Sequence, residues 1–404
     1  MRVLVVDPLP ESAMSELRAL GLDVEHRPGL DETALREAIG EIGILIVRST
    51  KVSADVIGAA NCLNLIVRAG AGVNTIDVAA ASRRGIYVAN CPGKNAAAVA
   101  ELVLGLILAL DRRIPDAALA LRSGAWDKRQ FSKAKGIQGQ VLGIAGLGSI
   151  GREVLARARA FGLVTHAWSR SLTPDKAREL GVVYASSLEQ LAARVDILTL
   201  HLPLSGATRR IVNREILDAL PEGATLINTA RSELVDEAAL LELVPKKKLR
   251  LGIDVLEGEP AASQGPITSP LLGLPGVYAT PHIGASTEQA QDAIACETVR
   301  IVRSFLVEGY VPNVVNVGAI SPAQFQLVVR HLDRVGVLAS VLSVIKQHEI
   351  NVEEVSNTIF DGAVAACAKL RLDTRPTAQC LTEIARCADV LHVDLVPLPA
   401  AAVS

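Results

Sequence analysis

The strongest structural signal in this 404-residue chain is Gly146-Leu147-Gly148-Ser149-Ile150-Gly151. The hexapeptide follows the apolar run Val141–Ala145 and opens a segment of helical periodicity, so it joins a predicted strand to a predicted helix. In that context the first glycine permits a tight turn, the second lets a pyrophosphate approach the backbone, and the third lets the helix pack against its strand. The helix N-terminus then offers free N–H groups to the anion. The stretch predicts a dinucleotide-binding unit, with an ordinary βα turn as the alternative.

Composition narrows the class of protein. The 41 Lys and Arg residues balance 43 Asp and Glu, which gives no support for nucleic acid or an anionic membrane surface as the main partner. The apolar run 99–110 contains Glu101 and is too short to span a bilayer. The six cysteines show no metal-ligand spacing, so we expect free thiols and no metal. Residues 1–7 predict a strand and a turn rather than a signal peptide, so we expect a cytoplasmic protein.

Periodicity along the chain predicts the domains. Predicted strands and helices alternate through both the N-terminal and the central part, which favours two Rossmann-like, doubly wound parallel-sheet α/β domains. A helical pattern over 287–308 is expected to return to the first unit. We therefore expect a discontinuous, flavodoxin-like substrate-binding domain (1–98 and 285–317) around a dinucleotide-binding Rossmann domain (99–284). After a Pro/Gly-containing linker, residues 323–404 follow the βαββαβ order of a ferredoxin-like α+β domain.

Four polar side chains lie where βα units place function. Arg231, Asp254 and His282 each follow a predicted strand, and Glu259 lies in the loop after Asp254. A histidine that titrates near neutrality can accept a hydroxyl proton, and a neighbouring glutamate would orient the imidazole and raise its pKa. An arginine can hold a carboxylate with two hydrogen bonds. Each residue alone has an ordinary structural alternative, but together they predict hydride transfer at a hydroxyl-bearing carbon, with a nicotinamide supplying the hydride chemistry.

With these motifs the sequence resembles the D-isomer-specific 2-hydroxyacid dehydrogenases over residues 1–317. The motifs that carry the resemblance, beyond the glycine hexapeptide, are Asn228-Thr229-Ala230-Arg231 with Val235-Asp236-Glu237, Asp254-Val255 with Glu259-Pro260, Pro281-His282-Ile283-Gly284-Ala285-Ser286-Thr287, Arg68-Ala69-Gly70-Ala71-Gly72-Val73-Asn74, and Asn95 with Ala100-Glu101. The tail resembles an ACT domain, a small-molecule regulatory module.

The resemblance implies roles for individual residues. Arg231 would bind the substrate carboxylate, Glu259 would be the histidine partner and His282 the acid/base. The residues implied to contact the cofactor are Gly146, Gly148, Ser149, Ile150, Gly151, Ser169, Arg170, His201, Pro203, Thr229, Ala230, Asp254 and Gly284. Those implied to contact the substrate are Arg48, Lys51, Gly72, Val73, Asn95, Lys128 and Arg129. Those implied to contact an effector are His331, Asp333 and Asn351, unless the ACT module serves assembly alone.

For activity, the resemblance implies NAD-dependent oxidation of D-3-phosphoglycerate to 3-phosphohydroxypyruvate, the first step of serine biosynthesis. Arg48 and Lys51 follow a predicted strand and would supply the extra positive charge that a phosphate needs. A homodimer or homotetramer is expected, with serine as the candidate effector. The alternatives are a reductase of glyoxylate, hydroxypyruvate or another D-2-hydroxy acid, and a nucleotide- or amino-acid-sensing interaction protein without turnover.

Two departures from the family pattern raise specific questions. Ser232-Glu233 replaces the two glycines that the family usually has after the catalytic arginine, which brings a new carboxylate near Arg231. NAD-preferring sites place an acid about 20 residues after the glycines, at the end of the next strand. That strand ends here in Trp168-Ser169-Arg170, a hydroxyl and a cation that suit the 2′-phosphate of NADP. We therefore expect NAD or NADP as the cofactor.

Overall fold

The structure is a computed structural model that describes residues 1–260, 264–318 and 322–399. The chain forms two compact units, Met1–Asn316 and Val317–Ser404. The described residues contain a five-stranded and a seven-stranded parallel sheet in the first unit and a four-stranded antiparallel sheet in the second. The predicted fold class is therefore confirmed, while the domain bounds stay a prediction. Parts of the predicted linker (319–321) and of the predicted ACT domain (400–404) lie outside the described residues.

The first sheet is built from short apolar strands that are buried on both faces. Its strands are β1 (Arg2–Val5), β2 (Asp23–His26), β3 (Ile44–Val47), β4 (Leu65–Arg68) and β5 (Tyr87–Asn90), in the order β2-β1-β3-β4-β5. The helices between them are α1 (Glu11–Ala19), α2 (Glu32–Ala38), α3 (Ala54–Ala59) and α4 (Val78–Arg83). Asp31 and Ser53 cap α2 and α3 by accepting backbone N–H bonds, which is the usual role of these residue types at helix N-termini. The strand order is that of flavodoxin-like folds.

The second sheet has Rossmann order. Its strands are β6 (Val141–Ala145), β7 (Val164–Trp168), β8 (Val183–Tyr184), β9 (Ile197–Leu200), β10 (Thr225–Asn228), β11 (Arg250–Ile253) and β12 (Val277–Ala279), in the order β12-β11-β10-β9-β6-β7-β8. The helices before and between them are α5 (Ala96–Arg112), α6 (Ile114–Arg122), α7 (Lys128–Phe131), α8 (Ser149–Ala160), α9 (Pro174–Glu179), α10 (Leu188–Ala192), α11 (Arg214–Ala219) and α12 (Glu237–Lys247). The order reverses between β6 and β9, where doubly wound sheets bind ligands.

After β12 the chain returns to the first sheet through helix α13 (Glu288–Val307). Thr287 caps its N-terminus by accepting the Ala290 N–H. Ile294 and Val302 of this helix share a buried cluster with Val3 of β1. The chain therefore passes between the two parallel sheets twice, through α5 and just before α13. Within the described residues, no helix has the length and apolar character needed to cross a bilayer.

The second unit has the predicted βαββαβ order. Its elements are β13 (Phe325–Leu332), α14 (Val337–Gln347), β14 (Val352–Ile359), β15 (Ala365–Leu372), α15 (Ala378–Ala385) and β16 (Val390–Pro397). The antiparallel sheet has the order β14-β15-β13-β16. Alternate residues such as Leu327 and Val329 face the two helices and pack against Val341 and Ile345. One face of the sheet is thus covered, as its period-two pattern requires.

Candidate active site

The glycine turn between β6 and α8 has the geometry that its sequence predicts. Gly146 has φ +102°, and a Cβ there would lie 2.4 Å from the carbonyl oxygen of His201. A Cβ at Gly151 would lie 2.0 Å from the carbonyl oxygen of Gly146, so the start of α8 packs directly on the turn. A Cβ at Gly148 would meet no atom within 4 Å. The backbone at the helix N-terminus is therefore open to an anion.

Buried polar atoms near this turn fit a nucleotide. His201 follows β9 and Thr229 follows β10, so both lie at the carboxyl ends of strands close to β6. His201 Nε2 lies 3.0 Å from Thr199 Oγ1, whereas His201 Nδ1 and Thr229 Oγ1 are buried without a partner in the described chain. Burial lowers the pKa of His201 to about 3, so its imidazole is neutral. Unpaired polar groups of this kind suit a polar ligand that supplies the missing bonds.

His282 and Glu259 form the central contact of the site. His282 Nδ1 lies 2.7 Å from Glu259 Oε2, and Glu259 Oε1 accepts the backbone N–H of Leu256 at 2.8 Å. The hydrogen bond to Glu259 raises the pKa of His282, against the opposing effect of burial. Burial alone would raise the pKa of Glu259, but the bonds from His282 and Leu256 outweigh it and lower that pKa. Because Nδ1 is engaged, Nε2 of the half-exposed imidazole is the atom that can exchange a proton with a substrate.

Asp254 holds the turn that presents His282. This carboxylate is 1% exposed; its Oδ1 accepts bonds from Thr280 Oγ1 (2.5 Å) and the Ile283 N–H (2.9 Å), and its Oδ2 accepts the Gly284 N–H (2.8 Å). His282 itself has φ +53°, a left-handed conformation that is uncommon outside glycine. The anchoring bonds on both sides keep the histidine in this conformation. The implied contact of Asp254 with the cofactor stays a prediction.

Arg231 reaches from the second sheet to a loop of the first. Its Nη1 donates to the Ala230 carbonyl oxygen (2.6 Å) and its Nη2 lies 3.5 Å from Asn74 Oδ1. A Cβ at Gly72 would lie 2.6 Å from Arg231 Nη2, so the missing side chain makes room for the guanidinium. Asn228 fixes the local backbone by donating to the Arg231 carbonyl oxygen (2.8 Å) and accepting the Ala230 N–H (3.1 Å). The positive charge of Arg231 also affects the pKa of both His282 and Glu259, so the three groups share one site.

Arg68, at the end of β4, is a site residue that our sequence analysis did not single out. Its pKa is lowered to about 10, first by burial and then by the positive charges of Arg231 and Arg48. Its Nε is buried and has no partner within the described chain. A Cβ at Gly70, which has φ +157°, would lie 1.6 Å from Arg68 Nη1, so the guanidinium occupies the space above this glycine. Arg48, Arg68 and Arg231 together form a cationic cluster beside His282 and Glu259.

The other predicted substrate contacts have varied environments. Asn95 lies just before α5, and its Oδ1 is buried without a partner in the described residues. Val73 lies next to Gly72 in the loop that Arg231 contacts. Lys51 is exposed, and its Nζ lies 3.9 Å from Glu32 of α2. Lys128 and Arg129 are exposed on α7. The roles of these five residues stay predictions.

The Ser232-Glu233 pair lies in a short 3₁₀ turn after β10. Glu233 accepts a hydrogen bond from Ser232 Oγ (3.3 Å), and its carbonyl oxygen accepts the Arg210 N–H (2.8 Å). In the described chain Glu233 forms no ion pair with Arg231. The added carboxylate therefore does not pair with the Arg231 guanidinium.

The predicted effector residues of the second unit make separate local contacts. His331 is buried at the end of β13, with Nδ1 2.7 Å from the Leu332 carbonyl oxygen and Nε2 3.2 Å from Asn357 Oδ1. Asn351 donates to Glu353 (2.6 Å), and Asp333 is exposed. Both nitrogens of His331 already have partners, so a ligand there would have to replace one of them. The effector site stays a prediction.

Comparison with known proteins agrees with this geometry. Residues 104–284 match the family "D-isomer specific 2-hydroxyacid dehydrogenase, NAD binding domain". A D-3-phosphoglycerate dehydrogenase of Methanocaldococcus jannaschii is 42% identical over 320 residues, which cover 78% of this chain and 59% of that protein. A hydroxypyruvate reductase of Thermotoga maritima is 42% identical over 304 residues, covering 74% of this chain and 96% of that protein. An NAD⁺-bound 3-phosphoglycerate dehydrogenase structure from Entamoeba histolytica matches with TM-score 0.66 and 27% identity, covering 78% of this chain and 99% of that one.

The chain belongs to the D-isomer-specific 2-hydroxyacid dehydrogenase family, and residues 104–284 match the NAD-binding domain of that family. The chain spans about six-tenths of the length of the first curated D-3-phosphoglycerate dehydrogenases that it matches, 59% of one and 64% of another.

Proposed function

We propose that this protein oxidises D-3-phosphoglycerate to 3-phosphohydroxypyruvate with NAD, the first step of serine biosynthesis. The observation that carries the proposal is the cationic cluster of Arg48, Arg68 and Arg231 beside the His282–Glu259 pair. A substrate with a carboxylate at one end and a phosphate at the other carries enough negative charge to balance three guanidinium groups. The D-3-phosphoglycerate dehydrogenases among the relatives support the same substrate.

The chemistry follows from the contacts of the three catalytic residues. Neutral His282 accepts the proton of the C2 hydroxyl at Nε2, and Glu259 stabilises the imidazolium that forms. Arg231 binds the substrate carboxylate with its fork of N–H donors and polarises the developing carbonyl. NAD held at the glycine turn before α8 would supply the acceptor for the hydride that leaves C2, so that the two-electron oxidation balances. In the reverse direction His282 returns the proton to the carbonyl oxygen.

Hydroxypyruvate reduction is the second candidate, favoured by the Thermotoga maritima relative, of which 96% is covered. Hydroxypyruvate has a single carboxylate, which Arg231 alone can bind, so Arg48 and Arg68 would then lack an anionic partner. The charges of Arg231 and Arg48 act on buried Arg68, so the three guanidinium groups lie close enough to repel one another. A substrate that carries a phosphate as well as a carboxylate would relieve this repulsion, which is the reason to prefer a phosphorylated substrate.

The end of β7 bears on the choice between NAD and NADP. The Gly146 N–H donates to the Trp168 carbonyl oxygen (2.8 Å), so Ser169 and Arg170 follow directly beside the glycine turn. No acid stands there to bind a ribose 2′-hydroxyl, and the exposed Arg170 suits a 2′-phosphate. NAD is the proposed physiological cofactor, and use of NADP as a second cofactor is the alternative.

The surface supports a homo-oligomer, either a dimer or a tetramer. Leu119 and Leu121 of α6 are exposed, and Trp126 just beyond that helix is 82% exposed. Exposed large apolar side chains close together in sequence are typical of protein interfaces.

For the C-terminal unit, serine binding is proposed as the regulatory input, with assembly alone as the alternative. The six cysteines are free thiols, which fits the proposed cytoplasmic location.

A steady-state screen tests the proposal. The substrates are 3-phosphohydroxypyruvate, hydroxypyruvate and glyoxylate with NADH or NADPH, and D-3-phosphoglycerate with NAD⁺, each with and without serine. We expect the highest kcat/KM for the phosphorylated pair. A higher kcat/KM for hydroxypyruvate would assign the enzyme to the reductases. Turnover of none of them would favour a sensing protein.

A further inference from the structure

Asp7, directly after β1, organises the loop that carries Arg48. This residue is 8% exposed, and its Oδ2 accepts the backbone N–H groups of Arg48 (2.7 Å), Ser49 (3.1 Å) and Thr50 (3.0 Å). Its Oδ1 accepts the hydroxyl of Ser49 (2.9 Å). Burial alone would raise the pKa of Asp7, but these four bonds outweigh it and lower that pKa. Asp7 is therefore ionised and fully bonded in the working pH range.

The direction of these three N–H groups decides how the loop can bind a phosphate. Successive backbone N–H groups that converge on one point make an anion-binding concavity. In this chain the carboxylate of Asp7 fills that concavity from inside the protein. The amides of residues 48–50 are then unavailable to a substrate phosphate. The phosphate must be recognised by side chains, and Arg48 is the loop residue whose charge acts on buried Arg68.

We propose that Asp7 is a positioning residue that makes the enzyme selective for phosphorylated substrates, because it fixes the backbone from which Arg48 reaches the phosphate. The inference rests on the proposed function, since it assumes that Arg48 binds a phosphate. Asp7 lies behind the loop and touches neither Arg231 nor the His282–Glu259 pair in the contacts of the described chain. The negative charge of Asp7 also acts on Arg68, so its influence on the site is exerted through Arg48 and Arg68.

A second aspartate shows that the two functions of the site are anchored separately. Asp254 holds the turn of His282 with the N–H groups of Ile283 and Gly284, in the same manner as Asp7 holds residues 48–50. Asp7 follows a strand of the first sheet and Asp254 follows a strand of the second. Loss of one anchor leaves the other intact. Removal of Asp7 should therefore change phosphate recognition without changing proton transfer.

Two variants of Asp7 separate the anchor from its charge. Asp7→Ala removes all four acceptor bonds and lets the loop move. Asp7→Asn keeps one oxygen for the three N–H groups, while its amide donates to Ser49 Oγ, so the loop stays in place. Asp31→Ala is the matched control, because it removes the N-cap carboxylate of α2 in the same sheet unit, away from the loop's backbone.

The experiment measures kcat and KM for 3-phosphohydroxypyruvate and for glyoxylate, together with amide hydrogen exchange of residues 48–50 and Tm. A displacement of about 1 Å can cost about 10²-fold in rate or binding, so we expect Asp7→Ala to raise KM for 3-phosphohydroxypyruvate by at least about tenfold. Its kinetics with glyoxylate should stay within about twofold of the wild type, while exchange at residues 48–50 becomes faster. Asp7→Asn should resemble the wild type, and Asp31→Ala should change Tm alone.

The possible failures can be told apart. If the wild-type protein does not turn over 3-phosphohydroxypyruvate, the proposed function is wrong and the inference built on it is wrong too. If the wild type turns it over but Asp7→Ala affects both substrates equally, or neither, Asp7 does not set selectivity and only the inference fails. Unchanged amide hydrogen exchange at residues 48–50 in Asp7→Ala would likewise contradict the claim that Asp7 holds this loop in place.

Discussion

Replacing Glu259 by Gln tests how the hydrogen bond to His282 sets the pH at which the enzyme works. The bond from His282 Nδ1 is 2.7 Å long and is the largest cause that raises the pKa of His282. A hydrogen bond to a charged group contributes about 1.5–3 kcal/mol, and one pKa unit corresponds to about 1.4 kcal/mol. The His282 side chain is 50% exposed, so solvent screening reduces the effect. We expect Glu259→Gln to lower the pKa of His282, because this largest raising cause is then weakened.

The sign of the change in activity follows from the mechanism. Oxidation needs the neutral imidazole, so kcat/KM rises with pH through the pKa of His282, and Glu259→Gln should move this rise to lower pH. The plateau should fall by about 10²-fold, because the imidazolium loses its counter-charge. The assay is kcat/KM for D-3-phosphoglycerate oxidation between about pH 5 and 10, with Glu257→Gln, an exposed carboxylate in the same loop, as the control. A midpoint that stays in place or moves upward would refute the argument.

The same pair predicts how stability depends on pH. The raised pKa of His282 adds stability that is present below its model-peptide value of 6.5 and is lost as the pH rises through the folded-state pKa. The lowered pKa of Glu259 adds stability that is present above 4.5 and is lost as the pH falls through the folded-state pKa. The difference in unfolding free energy between the wild type and Glu259→Gln should therefore be largest between pH 4.5 and 6.5.

Four further substitutions test the rest of the site. His282→Ala should lower kcat by about 10²-fold or more, and near-normal turnover would exclude this imidazole from proton transfer. Arg48→Ala should raise KM for phosphorylated substrates and spare glyoxylate, whereas an equal loss on both would indicate a packing defect. Arg170→Ala should reduce kcat/KM with NADPH more than with NADH, and an equal change with both would show that this arginine does not read the 2′-phosphate. Gly151→Ala would place a Cβ 2.0 Å from the Gly146 carbonyl oxygen, so it should weaken NAD binding in calorimetry and lower stability by about 1–3 kcal/mol or more.

Sequence patterns predicted strands with a continuous apolar run well and missed one polar edge strand. Val141–Ala145 was predicted to the residue, because four of its five positions are buried and the apolar run has no interruption. The strand Asp23–His26 was missed. It lies at the edge of the five-stranded sheet, has a polar sequence and buries none of its residues fully, so its pairing with β1 leaves no hydrophobic pattern to detect.

Sequence motifs named part of the candidate site. The residues that were missed come together only through the order of strands in the first sheet. The sequence motifs were sufficient to name Arg231, Glu259 and His282 together. The structure pairs His282 with Glu259, and Arg231 lies close enough for its charge to act on both. Asp7 and Arg68 also follow apolar strands, which was the available signal. Their roles depend on β1, β3 and β4 being neighbours in the first sheet, so that the ends of these strands converge. A single sequence does not contain that order.

The left-handed backbone of His282 has a consequence for how this enzyme would respond to selection for heat resistance. A non-glycine residue in this region costs on the order of 1–2 kcal/mol, and glycine relieves that cost. Glycine would therefore be the least strained residue at position 282, but it would remove the imidazole that the reaction needs. If variants at position 282 were selected for thermal stability alone, glycine would be favoured over histidine. Histidine at this position is therefore explained by catalysis and not by stability.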